Sequence, residues 1–379
     1  MLGYNFIRRN LMISNRLSHL LTSMKQQHLD AVAINPGPSL IYLTGLHFHL
    51  MERPTVLLVK SDQTCALILP ELEMLKVKDS PLPIKAFPFG DNPQTWKDAF
   101  HQASRFLDLD KKKVGVEPLH LRIMEFDFLK DAAPTAEFID GSAVFTDLRI
   151  CKDAQEAAAT RKAVKIAQDA LKATLPFVKA GRTEKQIAAE LTLQLLHAGS
   201  DSEFPFEPIV SSGPNSANPH AVPSERVLQR GDLLVIDYGA IYDGYISDLT
   251  RTFAIGEVEP EFSKIADLVL QANTAGRQRA TSGIHAGDVD KAARGVIEKA
   301  GYGTYFTHRT GHGIGMEAHE PPYIFGENEL VLQPGMCFTV EPGIYLPNRG
   351  GVRIEDNILI TEGGAETLSD LPRELITIE

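Results

Sequence analysis

Cysteine is scarce: Cys65, Cys151 and Cys337 are the three in 379 residues, too few and too scattered for a disulfide framework. That points to a reducing, cytoplasmic compartment. No apolar run approaches the roughly 18 residues a membrane span needs. Positive charge is also in deficit, 38 Lys and Arg against 49 Asp and Glu, for a net charge of -11 spread without long acidic runs. The basic face that would grip nucleic acid or an anionic membrane is therefore missing, so neither is expected as a partner. The start, MLGYNFIRRNLMISNRL, has two arginines with no apolar core after them, so a secretory signal is not expected there. Residues 1–11 read as an extension ahead of an alternative start at Met12. The single tryptophan, Trp96, reads as a packing residue. What the chain does have is length for two domains and 43% hydrophobic residues, ample for two cores.

Periodicity organises the first part. A helical pattern from about Ser14 to Gln27 places Leu17, Leu20, Leu21 and Met24 at helix spacing. AVAI, TVLLV, CALILP, IKAFPF and KVGVEP read as strands, and helices are expected from about Trp96 to Leu107 and from about Leu121 to Leu129. Such mixing predicts an α/β module over residues 12–150. It carries no chemical motif; His47 and His49 alternate as on a strand but lack the carboxylate or thiol company of a metal site. Near Leu148 to Asp153 a strand-like stretch gives way to a long helix, opened by the capping-box pair Asp153 and Glu156 and ended or kinked by Pro176. A second domain is expected over 153–379. Within it another helix starts at Thr183 with Gln186 as capping partner, and its segment AGRTEKQIAAELTLQLLHAG is echoed by AGDVDKAARGVIEKAG at 286–301. The echo suggests a duplication, two halves that would bring their strands together at one centre.

The centre is anticipated by IDYGAIYDGYISD, residues 236–248. Asp243-Gly244 is a strong two-residue hairpin signal. If Tyr242 pairs with Tyr245, Gly239 falls opposite Asp248 and Asp237 lies one pleat further on the same face, so the two aspartates are diagonal neighbours. Aspartates near a turn are often no more than solvated caps. Their company argues otherwise: His312 in GHGIGMEAHE, Glu341 ending the apolar run MCFTV, and Glu355 inside the strand-like GVRIEDNILI. A buried unpaired carboxylate is costly. Two Asp, one His and two Glu make a ligand set for two hard or borderline divalent ions, whose charge would offset the four carboxylates.

With those five residues in order, the run from Asp153 onward resembles the catalytic domain of the M24 metallopeptidases, an α+β pita-bread fold, and the first 150 residues resemble the accessory domain of the creatinase, prolidase and aminopeptidase P branch. The resemblance implies that Asp237, Asp248, His312, Glu341 and Glu355 hold two metal ions, that a shared hydroxide is the nucleophile, and that Glu341 shuttles its proton to the leaving amine. It also implies that His220 in NPHAVPS and His319 in MEAHEPP hold the substrate and stabilise the oxyanion, with His308 a further histidine of the branch. His308 and His312 do not form an HExxH helix, because Arg309 stands where that motif needs its glutamate and Gly311 and Gly313 disfavour a helix. Arg353 is expected to orient a carboxylate ligand, with Tyr345 a supporting donor. A buried, inert Cys337 is expected.

Carboxylates plus one imidazole and no thiolate favour Mn(II), with Co(II), Zn(II) or Fe(II) as substitutes. The implied activity is an exopeptidase acting on the Xaa-Pro bond of dipeptides or at peptide N-termini, in a homodimer. The HRTGHGIG context, His220, His319 and the N-terminal domain favour this branch over methionine aminopeptidase. Two alternatives stand beside it: a metal-dependent amidohydrolase of a small non-peptide C–N substrate, and a peptide-binding module. Relatives of the binding type usually lack part of the ligand set, and this chain lacks none.

Overall fold

A computed structural model describes the backbone of residues 2–379 and the side chains of residues 13–379. The chain divides into a unit ending at Arg149 and a unit running from Ile150 to Glu379. No helix among the described residues is long and apolar enough to cross a membrane.

The first unit is a six-stranded mixed sheet in the order Ile84–Phe89, Cys65–Pro70, Val56–Lys60, Ala31–Ile34, Lys113–Val116, Glu137–Asp140. Its central strands are buried on both faces, which is why they read as unbroken apolar runs. The helix Trp96–Leu107 covers the sheet with Trp96, Ala99, Phe100, Ala103 and Leu107. Several expectations need correcting. The first helix spans Leu2–Gln26, and the helix anticipated from Leu121 begins at Ile123 and runs to Ala132. Residues 45–50, with His47 and His49, are irregular rather than strand. The stretch before the boundary is a helix, Ser142–Arg149: the Asp140 carboxylate accepts from Ser142 N at 2.8 Å, and Val144, Phe145 and Leu148 bury one helical face.

The second unit is built twice over. The helix Ala154–Thr174, with its Asp153/Glu156 capping box, pairs with Glu184–Ala198, capped by Thr183 and Gln186. They pack on a four-stranded sheet ordered Ile376–Ile378, Leu249–Ile255, Leu233–Tyr238, Ile209–Ser212. The helices Pro260–Arg279 and Ala286–Lys299 belong to the other half, with a five-stranded sheet ordered Glu320–Ile324, Gly311–Gly313, Cys337–Val340, Asp356–Thr361, Gly364–Thr367. The two sheets meet at a narrow seam. Glu355 N donates to Thr250 O at 3.1 Å, and Asp248 N donates to Asn357 Oδ1 at 3.0 Å.

Candidate metal centre

The hairpin turn carries the register outward. Asp243 (φ 52°) and Gly244 (φ 76°) are both left-handed, as a type I′ turn requires. Tyr242 faces Tyr245 and Ile241 faces Ile246; further out, Tyr238 faces Leu249 and Asp237 faces Thr250. Asp237 and Asp248 are thus diagonal across the pair, and both are buried.

The other half supplies its donors from three places. His312 occupies the middle of the strand Gly311–Gly313, where backbones press so close that a Cβ on Gly311 would lie 1.9 Å from Thr339 O, and one on Gly313 2.3 Å from Pro321 O. Glycine is required on both sides of the histidine. Glu341 follows directly on Cys337–Val340, its N–H donating to Thr310 O at 2.8 Å. Glu355 differs from expectation. GVRIEDNILI is not one strand but two, Gly350–Arg353 and Asp356–Thr361, in different sheets. The break puts Glu355 on the seam.

The five side chains converge. Donor atoms of Asp237, Asp248 and Glu355 lie within 4.8 Å of one another, as do those of His312, Glu341 and Glu355, and of Asp248, His312 and His319. His312 Nε2 is 3.3 Å from Glu341 Oε1 and 3.7 Å from Asp248 Oδ2. Asp237 Oδ1 and Asp248 Oδ1 are buried without a hydrogen-bond partner. Burial first, and then the neighbouring carboxylates, push Asp248 and Glu355 well above the ordinary carboxylate range; burial likewise takes Glu341 up to about 8. Burial, reinforced by His319, lowers His312 to about 3, so its imidazole is neutral with a lone pair to offer. Orphaned buried carboxylate oxygens beside a neutral imidazole fit a pair of divalent cations of the hard or borderline kind.

A second layer aims these donors. Arg353 Nη2 donates to Asp237 Oδ2 at 2.6 Å, its Nε to Thr250 Oγ1 at 3.2 Å, and its Nη1 to Tyr345 Oη at 2.9 Å. Arg353 therefore serves Asp237, on the opposite half, rather than its sequence neighbour Glu355. Thr250 Oγ1 donates to Glu355 Oε2 at 2.6 Å. With one lone pair of Tyr345 Oη taken by Arg353, the hydroxyl proton goes to His308 Nε2 at 2.9 Å, which assigns the His308 proton to Nδ1, donating to Arg309 O at 2.7 Å. Burial, helped by Arg353, lowers His308 to about 4.

Above the donors opens a cavity of about 580 Å³ lined by all five, by Arg353, and by His220, His308 and His319. His319 stacks on His312 with ring centroids 3.7 Å apart. Tyr345 is buried beside the cavity rather than in its lining, and burial takes its hydroxyl up to about 12. Cys337 is buried in its strand, its thiol pushed up to about 12 by burial. Sequence reasoning missed Phe206, Glu207, Ile209, Pro219, Ala318 and Arg309 in the lining, and Thr250 behind it. Thr250 could have been found from the hairpin register, since it is the residue opposite Asp237. It also missed Glu184, whose buried carboxylate accepts from Ser212 N (2.7 Å), Ser212 Oγ (2.8 Å), Asn215 Nδ2 (3.1 Å) and Ser224 Oγ (2.6 Å), fixing both ends of the loop that carries His220.

A carboxylate-rich donor cage under a histidine-lined cavity, on a twice-repeated helix-and-sheet unit, defines the class: a metal-dependent hydrolase. The chain belongs to metallopeptidase family M24, which residues 158–362 match, and residues 16–151 match the creatinase/prolidase N-terminal domain. It is 35% identical to the Xaa-Pro dipeptidase of Pyrococcus horikoshii over 96% of this chain and 99% of that one. A solved dipeptidase structure from P. horikoshii superposes with a TM-score of 0.90 at 37% identity, covering 96% of this chain and all 100% of the other. The prolidase of Thermococcus sibiricus also gives 0.90, at 34% identity over 95% of this chain and 97% of its own.

Proposed function

We propose that this chain is a dinuclear-metal exopeptidase that hydrolyses the bond between a first residue and a following proline, as its similarity to Xaa-Pro dipeptidases and prolidases supports. The observation that carries the reading is the pair of orphaned aspartate oxygens facing His312, Glu341 and Glu355 at the floor of the cavity. In this reading Asp237, Asp248, His312, Glu341 and Glu355 hold two divalent ions, Mn(II) being favoured by the donor set and Co(II), Zn(II) or Fe(II) able to substitute. Bound there, the ions supply Lewis acidity and lower the pKa of a water.

The protein's own groups do the rest. Glu341, with Oε1 held by Thr339 Oγ1 at 3.3 Å, carries the proton toward the leaving imide nitrogen. His220 and His319 hold the scissile carbonyl and donate to its oxygen as charge develops. Arg353 and Tyr345 keep Asp237 aimed, and neutral His308 fixes the Tyr345 hydroxyl. Phe206, Ile209, Pro219 and Ala318 give the cavity an apolar wall suited to a pyrrolidine ring. A proline nitrogen has no N–H, so a pocket that asks for none there accepts what general peptidases reject. The homodimer and the cytoplasmic setting belong to the same proposal.

The test is a panel of Xaa-Pro dipeptides and Xaa-Pro-Yaa tripeptides incubated with the Mn(II)-, Co(II)- and Zn(II)-loaded protein. Release of the first residue with at least one metal is expected. Survival of Gly-Pro, Ala-Pro and the tripeptides alike would move the reading to a non-peptide C–N substrate.

A further inference from the structure

The two glutamates of the donor set enter it through peptide groups that share one partner. Asn273 lies inside the helix Pro260–Arg279 and is fully buried, where asparagine is a poor helix former and its amide is costly to bury. Its Nδ2 group donates to Val340 O at 3.0 Å, to Ile354 O at 3.3 Å and to Asp356 Oδ2 at 3.0 Å. Its Oδ1 accepts from Arg277 Nε at 2.7 Å. The orientation of the amide is thereby fixed, since turning it over would set Oδ1 against three acceptors and Nδ2 against a guanidinium.

Val340 O and the Glu341 N–H belong to one planar peptide group, and Ile354 O and the Glu355 N–H to another. At their other ends Glu341 N donates to Thr310 O at 2.8 Å and Glu355 N to Thr250 O at 3.1 Å. Each plane is therefore held from two sides, and Asn273 is the side they have in common. Arg251 extends the same fixture: its Nη1 donates to Glu355 O at 2.6 Å and to Thr250 O at 2.8 Å, and its Nη2 to Asp356 Oδ1 at 2.8 Å.

The donors that this fixture spaces are not equivalent. Glu355 belongs both to the group with Asp237 and Asp248 and to the group with His312 and Glu341, whereas Glu341 belongs to the second alone. Loss of the shared amide lets the Glu341 peptide group drift from that of Glu355 and opens the His312 group. The aspartate group keeps its own supports, the hairpin register and the bond from Arg353. We infer that Asn273 is a positioning residue for the metal centre: its one amide spaces the Glu341 and Glu355 peptide groups and so sets the affinity for the ion held by His312, Glu341 and Glu355. The inference rests on the metal reading above.

The experiment titrates Mn(II) by calorimetry into the chelator-stripped full chain as wild type, Asn273→Ala, His312→Ala and Val269→Ala, and follows residue-resolved amide exchange in the same proteins without metal. His312→Ala identifies the binding step that belongs to the His312 ion. Val269→Ala removes buried volume from the same helix without removing a hydrogen bond, and so reports what mere destabilisation does. Asn273→Ala is expected to weaken the His312 step about 10–100-fold and to leave the aspartate step within about threefold of wild type, as for groups that orient metal ligands. The Glu341 and Glu355 amides are expected to exchange faster together, at least about tenfold beyond their rates in Val269→Ala. Asn273→Ser, which leaves a single donor, is carried alongside and should lose less on both readouts; it supplies the comparison if the alanine variant does not fold. An unchanged His312 step, the same loss in Val269→Ala, or exchange that quickens at only one of the two amides overturns the inference. A wild type that takes up no Mn(II) while both amides answer to Asn273→Ala keeps the spacing role and removes the metal reading. Two-step uptake with amides indifferent to Asn273→Ala does the reverse.

Discussion

Asp248, Glu341 and Glu355 each sit in surroundings that oppose their own charge, and this makes the stability of the metal-free chain depend on pH in a definite direction. Their folded-state pKa values are raised, so the folded chain holds protons that the unfolded chain releases. Their contribution is present below the ordinary carboxylate range and lost as pH rises through Glu341's value of about 8. Asp356 has the opposite sign. Burial alone would raise it, but Arg251 and Arg373 outweigh burial and hold it at about 2, so its contribution is lost only in strong acid. With a chelator present, the thermal midpoint should fall between pH 5 and pH 8, and saturating Mn(II) should abolish the fall, because cations replace the protons. A midpoint that climbs over that interval without metal would remove the account. For activity, Asp248→Asn and Glu341→Gln are each expected to lower kcat/KM on Ala-Pro by about 100-fold or more; a variant retaining full activity would cancel its assigned role. These residues could be named from the sequence because each stands in a short distinctive context. Thr250 was within reach of the same hairpin register, which sets it opposite Asp237, but Arg309 was not, since an arginine takes its place in a cavity wall from what the fold sets around it.

At the scale of elements, what was legible followed how local the signal is. The hairpin register through Asp237 and Asp248 was readable to the residue, because a two-residue Asp-Gly turn fixes pairing on its own. The capping boxes at Asp153 and Thr183 were readable for the same reason. The break at Glu355 was not: Val352 and Ile354 before it and Ile358, Leu359 and Ile360 after it read as one strand, and only the meeting of two sheets interrupts them. Likewise the helix Ser142–Arg149 hid behind a short apolar run with no period long enough to separate helix from strand. The strand around His312 offers a direct test. Gly311→Ala drives a Cβ into Thr339 O, and relief requires shifting a strand that carries Glu341 at its end. A loss of about 1–3 kcal/mol in denaturant unfolding is expected, together with weaker Mn(II) binding by calorimetry. Unchanged stability and affinity would show that the sheet yields more readily than its packing implies.

Across the whole molecule, the echo between residues 180–199 and 286–301 corresponds to helices at matching places in two halves of the second unit, each half with its own core. The donors are divided between them: Asp237 and Asp248 from one, His312, Glu341 and Glu355 from the other. Bound cations therefore stabilise the folded state as a whole, by about 2.7 kcal/mol at a hundredfold excess over Kd. A calorimetric scan with Mn(II) should show this as an upward shift of the transition that unfolds the second unit, and no shift would mean that the five donors do not act together.

The seam between Thr250 and Glu355 has a kinetic corollary. Because the ions would be clasped from both sides of that junction, an ion leaves through the cavity mouth only after donors on one side let go, and parting of the halves does that in a single step. Turnover of isotopically labelled manganese should then keep pace with deuterium uptake at the Glu355 amide, making the joint a timer for how long the enzyme keeps whichever ion it first acquired.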